Sequence, residues 1–196
     1  MRIWAKWGAA LGVMAAAGCA TAAPDQVAHL AEPQLRLETY FDGRTEAWGV
    51  FRDRGGNLRR QFTVTIDGDW DGERLILDEH FLYADGPTER RVWTIRPVGA
   101  DGYEGTAADV EGVAVGRVQG NTLLWNYDLR LPVGGRTWTV DFDDRMYLQP
   151  DGVLINHATV RKFGIRVGEA VIVFRRVPDA DAAAAPPARA MAQADG

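Results

Sequence analysis

Between residues 59 and 148 the chain repeats one pattern, in which apolar and polar residues alternate with a period of two and short glycine-containing words end each run. Over Arg59–Ile66, the residues Phe62, Val64 and Ile66 share a side opposite Gln61, Thr63 and Thr65. Over Glu73–Tyr83, Leu75, Leu77, Phe81 and Tyr83 fall together. Over Thr122–Leu131, Leu123, Trp125, Tyr127, Leu129 and Leu131 fall opposite Asn126, Asp128 and Arg130. Over Thr137–Leu148, Trp138, Val140, Phe142, Met146 and Leu148 fall together. Successive side chains of a strand point to opposite faces, so this period marks strands with one face buried. Further strands fit Trp48–Arg52, Arg90–Pro97, Tyr103–Ala107, Gly112–Val118, Val153–Lys162 and Glu169–Val177.

The joins carry hairpin chemistry. Gly55-Gly56, Asp67-Gly68, Asp71-Gly72, Asp85-Gly86, Asp101-Gly102, Gly120-Asn121, Gly134-Gly135 and Asp151-Gly152 all read as turns. No stretch from 45 to 177 holds an apolar stripe at helical spacing for three turns, which leaves no room for the crossovers that parallel strands need. The expected fold is all-β, an antiparallel meander of eight to ten strands forming a closed or partly open lipocalin-like barrel. Closure also removes exposed strand edges. A transmembrane barrel would alternate as well, but these strands are short and interrupted by polar residues.

The two ends read differently from this body. Residues 1–18 have a basic start at Arg2 and Lys6, an apolar stretch and small residues before Cys19. The segment resembles a bacterial lipoprotein signal peptide, which is cut before the cysteine that carries the lipid. Ala16 stands where such signals usually have Leu, and ordinary secretory cleavage near Ala20–Ala22 is the alternative. Residues 19–34 read as the lipidated terminus and a tether, 35–177 as one domain, and 178–196 as a disordered Ala/Pro-rich tail. The absence of Asp after Cys19 points to the periplasmic face of the outer membrane, with the membrane reached through the N-terminal lipid and not by a span.

Composition excludes several classes of function. The full chain has a net charge of −5, and loss of Arg2 and Lys6 with the signal makes it more acidic, which argues against nucleic acid. There is no serine, so every Ser–His–Asp scheme is excluded. Cys19 is the only cysteine and is assigned to lipid, so no disulfide framework and no Cys–His chemistry are expected. His29, His80 and His157 are scattered, and no metal site or cofactor is expected from them. The acidic word Asp67–Glu73 lacks the twelve-position pattern of a calcium loop and reads as overlapping Asp-Gly turns.

Polar residues on apolar faces are the candidate site. Glu79 lies between Leu77 and Phe81 in strand parity, and Arg91 shares parity with Trp93 and Ile95. Asp144 interrupts the Trp138–Leu148 stripe, and Asn156 and Lys162 share parity with Leu154, Ala158 and Val160. Buried charges need partners or ligands, and the simplest pairs are Glu79 with Arg91 and Asp144 with Lys162. Such pairs close a barrel without binding anything, or they orient the head of an amphiphile in an apolar cavity. Trp93, Trp125 and Trp138 are candidate cavity aromatics.

Several words in order carry a family resemblance: Phe41-Asp42-Gly43, Trp48 to Arg54, Phe81 to Gly86, Arg91-Val92-Trp93, Gly105 to Val110, Gly120-Asn121, Asp143 to Leu148 and Lys162-Phe163-Gly164. Over nearly the whole span from Phe41 to Phe174 the chain resembles the DUF3833 family, bacterial lipoproteins without an assigned reaction. The resemblance implies an envelope protein with lipid-related work and transfers no catalytic residue. The leading expectation is a non-enzymatic cell-envelope lipoprotein that binds or chaperones a hydrophobic or amphiphilic small molecule. The alternatives are a structural or assembly lipoprotein with a packed core, and a hydrolase or isomerase using Glu79 or Asp144.

Overall fold

The computed structural model describes residues 32–178, and the expected signal, Cys19, most of the tether and nearly all of the C-terminal tail lie outside them. One short helix, α1 (Leu37–Tyr40), precedes ten strands: β1 (Gly43–Asp53), β2 (Leu58–Trp70), β3 (Leu75–Tyr83), β4 (Thr88–Val98), β5 (Gly102–Thr106), β6 (Val110–Gln119), β7 (Thr122–Val133), β8 (Arg136–Leu148), β9 (Leu154–Lys162) and β10 (Ile165–Arg176). Each strand pairs antiparallel with its sequence neighbours, and β1 pairs with β10, so the meander closes into a barrel.

The alternation read from sequence sorts the faces. Val64, Ile66, Leu75, Leu77, Trp93, Ile95, Leu123, Trp125, Val140 and Val160 are buried inside. The outer face carries ion pairs, including Arg90 with Asp78, Arg96 with Glu104, and Arg161 with Asp141 and Asp143. This is the reverse of the order that a barrel immersed in lipid needs. Among the described residues no helix is long and apolar enough to cross a membrane.

One end of the barrel is sealed. The backbone N–H of Leu35 donates to the Gly120 carbonyl at 2.9 Å, and Leu35, Leu37, Tyr40 and Phe41 are buried against the strand ends. The Tyr40 hydroxyl donates to the carbonyls of Gly152 and Phe174 at 3.1 and 3.2 Å, and burial pushes its pKa up to about 12. Phe41 meets Phe174 edge-on at 5.8 Å. The seal corrects one expected turn: Asp67-Gly68 lies inside β2, and Gly68 is there because the plug comes close. A Cβ at Gly68 would stand 1.7 Å from the Phe41 carbonyl oxygen, so only glycine admits the plug.

The other end is open and uneven. β5 pairs with β4 only from Thr94 to Val98, so the mouthward part of β4, Thr88–Trp93, has β3 on one side and, among the described residues, no strand on the other. The β7–β8 hairpin rises beyond the first β6–β7 pair, Val110 with Leu129. The β9–β10 turn, Phe163-Gly164, takes positive φ at both residues, 52° at Phe163 and 74° at Gly164. Phe163 is 90% exposed and Ile165 62% exposed beside it.

Candidate functional site

The barrel interior divides at mid-height. Toward α1 it narrows: Ile66, Leu75, Leu77, Leu123, Trp93 and Trp125 leave little surface open. Trp125 fills its layer because glycines face it. A Cβ at Gly116 or Gly105 would fall 2.4 or 2.7 Å from the indole. Toward the mouth, Phe51, Phe62, Phe81, Tyr127, Leu131, Phe142 and Ile172 are only partly buried. They surround the upper part of a cavity of about 550 Å³ that continues past mid-height to Leu37, Phe41 and Leu123, a size usual for small-molecule sites. Aromatic rings form much of its wall. Tyr127 stacks on Phe142 at 5.0 Å, Trp93 meets Tyr127 edge-on at 5.4 Å, and Phe81 stacks on Tyr83 at 6.2 Å.

A polar belt crosses the boundary between the two halves. The register sets Glu79 on β3 directly opposite Arg91 on β4, and their side chains approach to 3.8 Å. Arg91 donates closer bonds elsewhere, to Asp109 at 2.9 Å and to Glu89 at 3.1 Å. Asp109 belongs to the β5–β6 connection, so the guanidinium spans the gap left by the short β5. Asp144 on β8 accepts from the Asn156 amide at 3.1 Å and from the Tyr127 hydroxyl at 3.4 Å. One carboxylate oxygen of Asp144 and the amide oxygen of Asn156 are buried without a hydrogen-bond partner.

Burial sets the protonation of this belt. Glu79 is pushed up to about 7 by desolvation, with Arg91 pulling it down and the charges of Asp109 and Asp144 adding to the rise. Asp144 is likewise pushed up to about 7 by desolvation, against the hydrogen bonds from Asn156 and Tyr127. Burial also raises Tyr127 well above the usual tyrosine range, so its hydroxyl keeps its proton and acts as a donor. Arg91 is held charged: desolvation opposes its charge, and Glu79 and the other anions around it prevail.

Of the residues singled out from sequence, Glu79, Arg91, Asp144, Asn156, Trp93 and Trp125 line the cavity. Lys162 and Trp138 do not. The expected Asp144–Lys162 pair does not form, because the β8–β9 register sets Asp144 opposite Ala158 and leaves Asn156 as its diagonal neighbour on the inner face. Lys162 instead donates to the Thr139 carbonyl at 2.6 Å and lies over the rings of Trp138 and Phe163 at 5.6 and 4.5 Å. Trp138 is 40% exposed because the β7–β8 hairpin that carries it outreaches β6. Both residues belong to the rim.

Sequence reasoning missed Tyr127, Glu89 and Asp109 as members of the belt. Tyr127 shares parity with Trp125, and Glu89 stands two before Arg91, so both left a signal. Asp109 lies in a connection, where parity says nothing. Of the histidines, His29 lies outside the described residues, and His80 meets Asp78 and His157 meets Glu169, each at 3.2 Å. Among the described residues no group of three His, Cys, Asp or Glu side chains is placed to hold a metal ion.

The family model "Protein of unknown function (DUF3833)" matches residues 13–176. The chain belongs to the DUF3833 family. A search of curated proteins finds no match. Among solved structures, the chain is similar to the S-type phycobiliprotein lyase CPES from Guillardia theta, at 8% identity and a TM-score of 0.55, covering 73% of this chain and 92% of that one. It is also similar to a DUF3598-family protein of unknown function from Nostoc punctiforme, at 15% identity and a TM-score of 0.53. That match covers 74% of this DUF3833 chain and only half of the Nostoc one. At such identities the likeness concerns the fold alone.

Proposed function

We propose that this DUF3833 protein binds a lipidic or amphiphilic molecule in the cavity of its barrel, and that it carries or presents the molecule without transforming it. The observation that supports this reading is the cavity itself, about 550 Å³ with aromatic and aliphatic walls and a few polar groups gathered at mid-height. Apolar walls reward burial of a hydrocarbon chain, and sparse polar groups orient its head. The protein would work at the cell envelope, held to a membrane by lipid on Cys19.

The rim fits a ligand passing from an apolar phase. A bulky aromatic at φ 52° is unfavourable for folding, and one left 90% exposed gains nothing back from burial. Phe163 therefore has a use outside the core, and it stands with Lys162 and Trp138 where a lipid would cross.

The test is native mass spectrometry of the full-length protein released from envelope membranes. A bound lipidic molecule, recovered unchanged after incubation at pH 7, is expected. A protein that carries none and takes up none would overturn the reading. Conversion of the molecule during incubation would favour a second reading, in which the two carboxyl groups with pKa values near 7 act as general acid and base.

A further inference from the structure

We propose that the head group this cavity accepts is cationic, an ammonium-bearing amphiphile seated head-down against Glu79 with its chain rising through the aromatic collar. The proposal rests on the ligand-binding reading above.

Charge accounting at the cavity wall carries it. Three cations line the cavity, and each already has carboxylate partners. Arg59 is bound to Asp53 at 2.6 Å, Arg60 faces Asp85 at 3.6 Å, and Arg91 is shared by Asp109 and Glu89. Two of the anions are less well neutralised. Glu79 has only the 3.8 Å approach of an already occupied guanidinium, and 14% of its side chain stays open. Asp144 is 5% exposed and is held by neutral donors alone.

The unsatisfied atoms have the same sign. The partnerless oxygens of Asp144 and Asn156 are acceptors closed in behind the cavity wall, so a ligand that reaches them from Glu79 must part the wall and bring a donor. A buried acceptor without a donor costs about 1–3 kcal/mol. An ammonium group supplies donors and positive charge together. The rings of Tyr127, Phe142 and Trp93 line the same cavity.

An anionic head meets the opposite conditions. A carboxylate or phosphate seeking Arg91 would have to displace Glu89 or Asp109 and then lie beside Glu79 and Asp144. Wherever Glu79 and Asp144 are ionised, these like charges repel strongly with water excluded.

The experiment titrates the delipidated full-length protein at pH 7 with dodecylammonium, dodecanoate and dodecanol, below their micelle concentrations, and follows tryptophan fluorescence and heat. Dodecylammonium should bind about tenfold or more tighter than dodecanoate, the worth of one charge-assisted hydrogen bond. In Glu79→Gln the ratio of dodecylammonium to dodecanoate affinity should collapse toward one. Asp144→Asn is the second variant, and circular dichroism establishes that both are folded. Dodecanoate binding as tightly as the amine, or a preference unchanged in both variants, would overturn the cationic head and leave the barrel a lipid binder. Failure of all three probes to bind would overturn the ligand-binding reading and this proposal together.

Discussion

Arg91 binds Asp109 at 2.9 Å across the gap above β5, and that bond keeps the guanidinium from closing on Glu79, which lies at 3.8 Å. One cation thus serves anions from β3, β4 and the β5–β6 connection. The wall is stitched at its weakest point, and one carboxylate is left under-neutralised.

Arg91→Met should therefore destabilise the protein by about 3–5 kcal/mol at pH 7, because breaking a buried ion cluster leaves its anions uncompensated. Glu79 is already about half protonated at pH 7 and more so without Arg91, so most of the loss should persist at pH 5. Urea unfolding at the two pH values measures this, and a loss under about 1 kcal/mol, the worth of an exposed pair, would contradict the assigned role.

The wild-type protein should also lose stability on the alkaline side of its optimum. Glu79 has an ordinary value of 4.5 and a folded value of about 7, so between these the folded state holds more protons than the unfolded state. Its contribution is complete below about 4.5 and is lost as pH rises through about 7, and Asp144 behaves in the same way. Glu79→Gln should gain about 1–3 kcal/mol at pH 8 and flatten the slope. Asp53, held down to about 2, is the counterweight: desolvation opposes its charge, and the hydrogen bonds from Arg59, Asn57 and Gly55 prevail. Its contribution is lost only in strong acid. A denaturation midpoint that is flat from pH 5 to 8 in the wild type would count against the buried carboxyls.

Gly68→Ala should loosen the sealed end. The new methyl meets the Phe41 carbonyl at 1.7 Å, so the α1 segment must move. A cost of about 1–3 kcal/mol is expected. Hydrogen exchange should quicken at Leu35 and Phe41, whose N–H groups bond Gly120 and Leu37. Leu37→Ala, which opens space instead of filling it, should cost about 2–5 kcal/mol.

At the rim, Phe163→Gly should raise stability by up to about 1 kcal/mol, because glycine takes positive φ without strain. The same change should slow transfer of a fluorescent lipid analogue from vesicles into the barrel. Unchanged transfer would remove the rim from the loading route.

Much of this architecture was legible in the sequence because a barrel with one face buried writes its register as parity. Leu123, Trp125, Tyr127 and Leu129 declare an inner face whatever the strand's neighbours are. What parity cannot give is height along the barrel axis. Lys162 and Asp144 share the inner parity, yet the loop after Leu148 fixes Leu148 opposite Leu154, and Lys162 lands at the rim while Asn156 lands beside Asp144. Gly68 looked like a turn because Asp-Gly words usually are. Its real constraint, the Phe41 backbone, comes from a plug of one helical turn, too short to show a period. Phe163-Gly164 carries no residue that ordinarily advertises a left-handed turn at its first position, so that hairpin was hidden as well.

The short β5 has a bearing on length. Where β4 runs unpaired toward the mouth, the wall is lower than elsewhere, and a hydrocarbon rising from Glu79 meets the low side before the rim. Its far end can spill over there into whatever lies outside. The barrel would thus work as a socket and not a sleeve: it gauges one terminus of a molecule and leaves the other ungauged, so homologous chains of increasing length should level off in affinity instead of passing through an optimum.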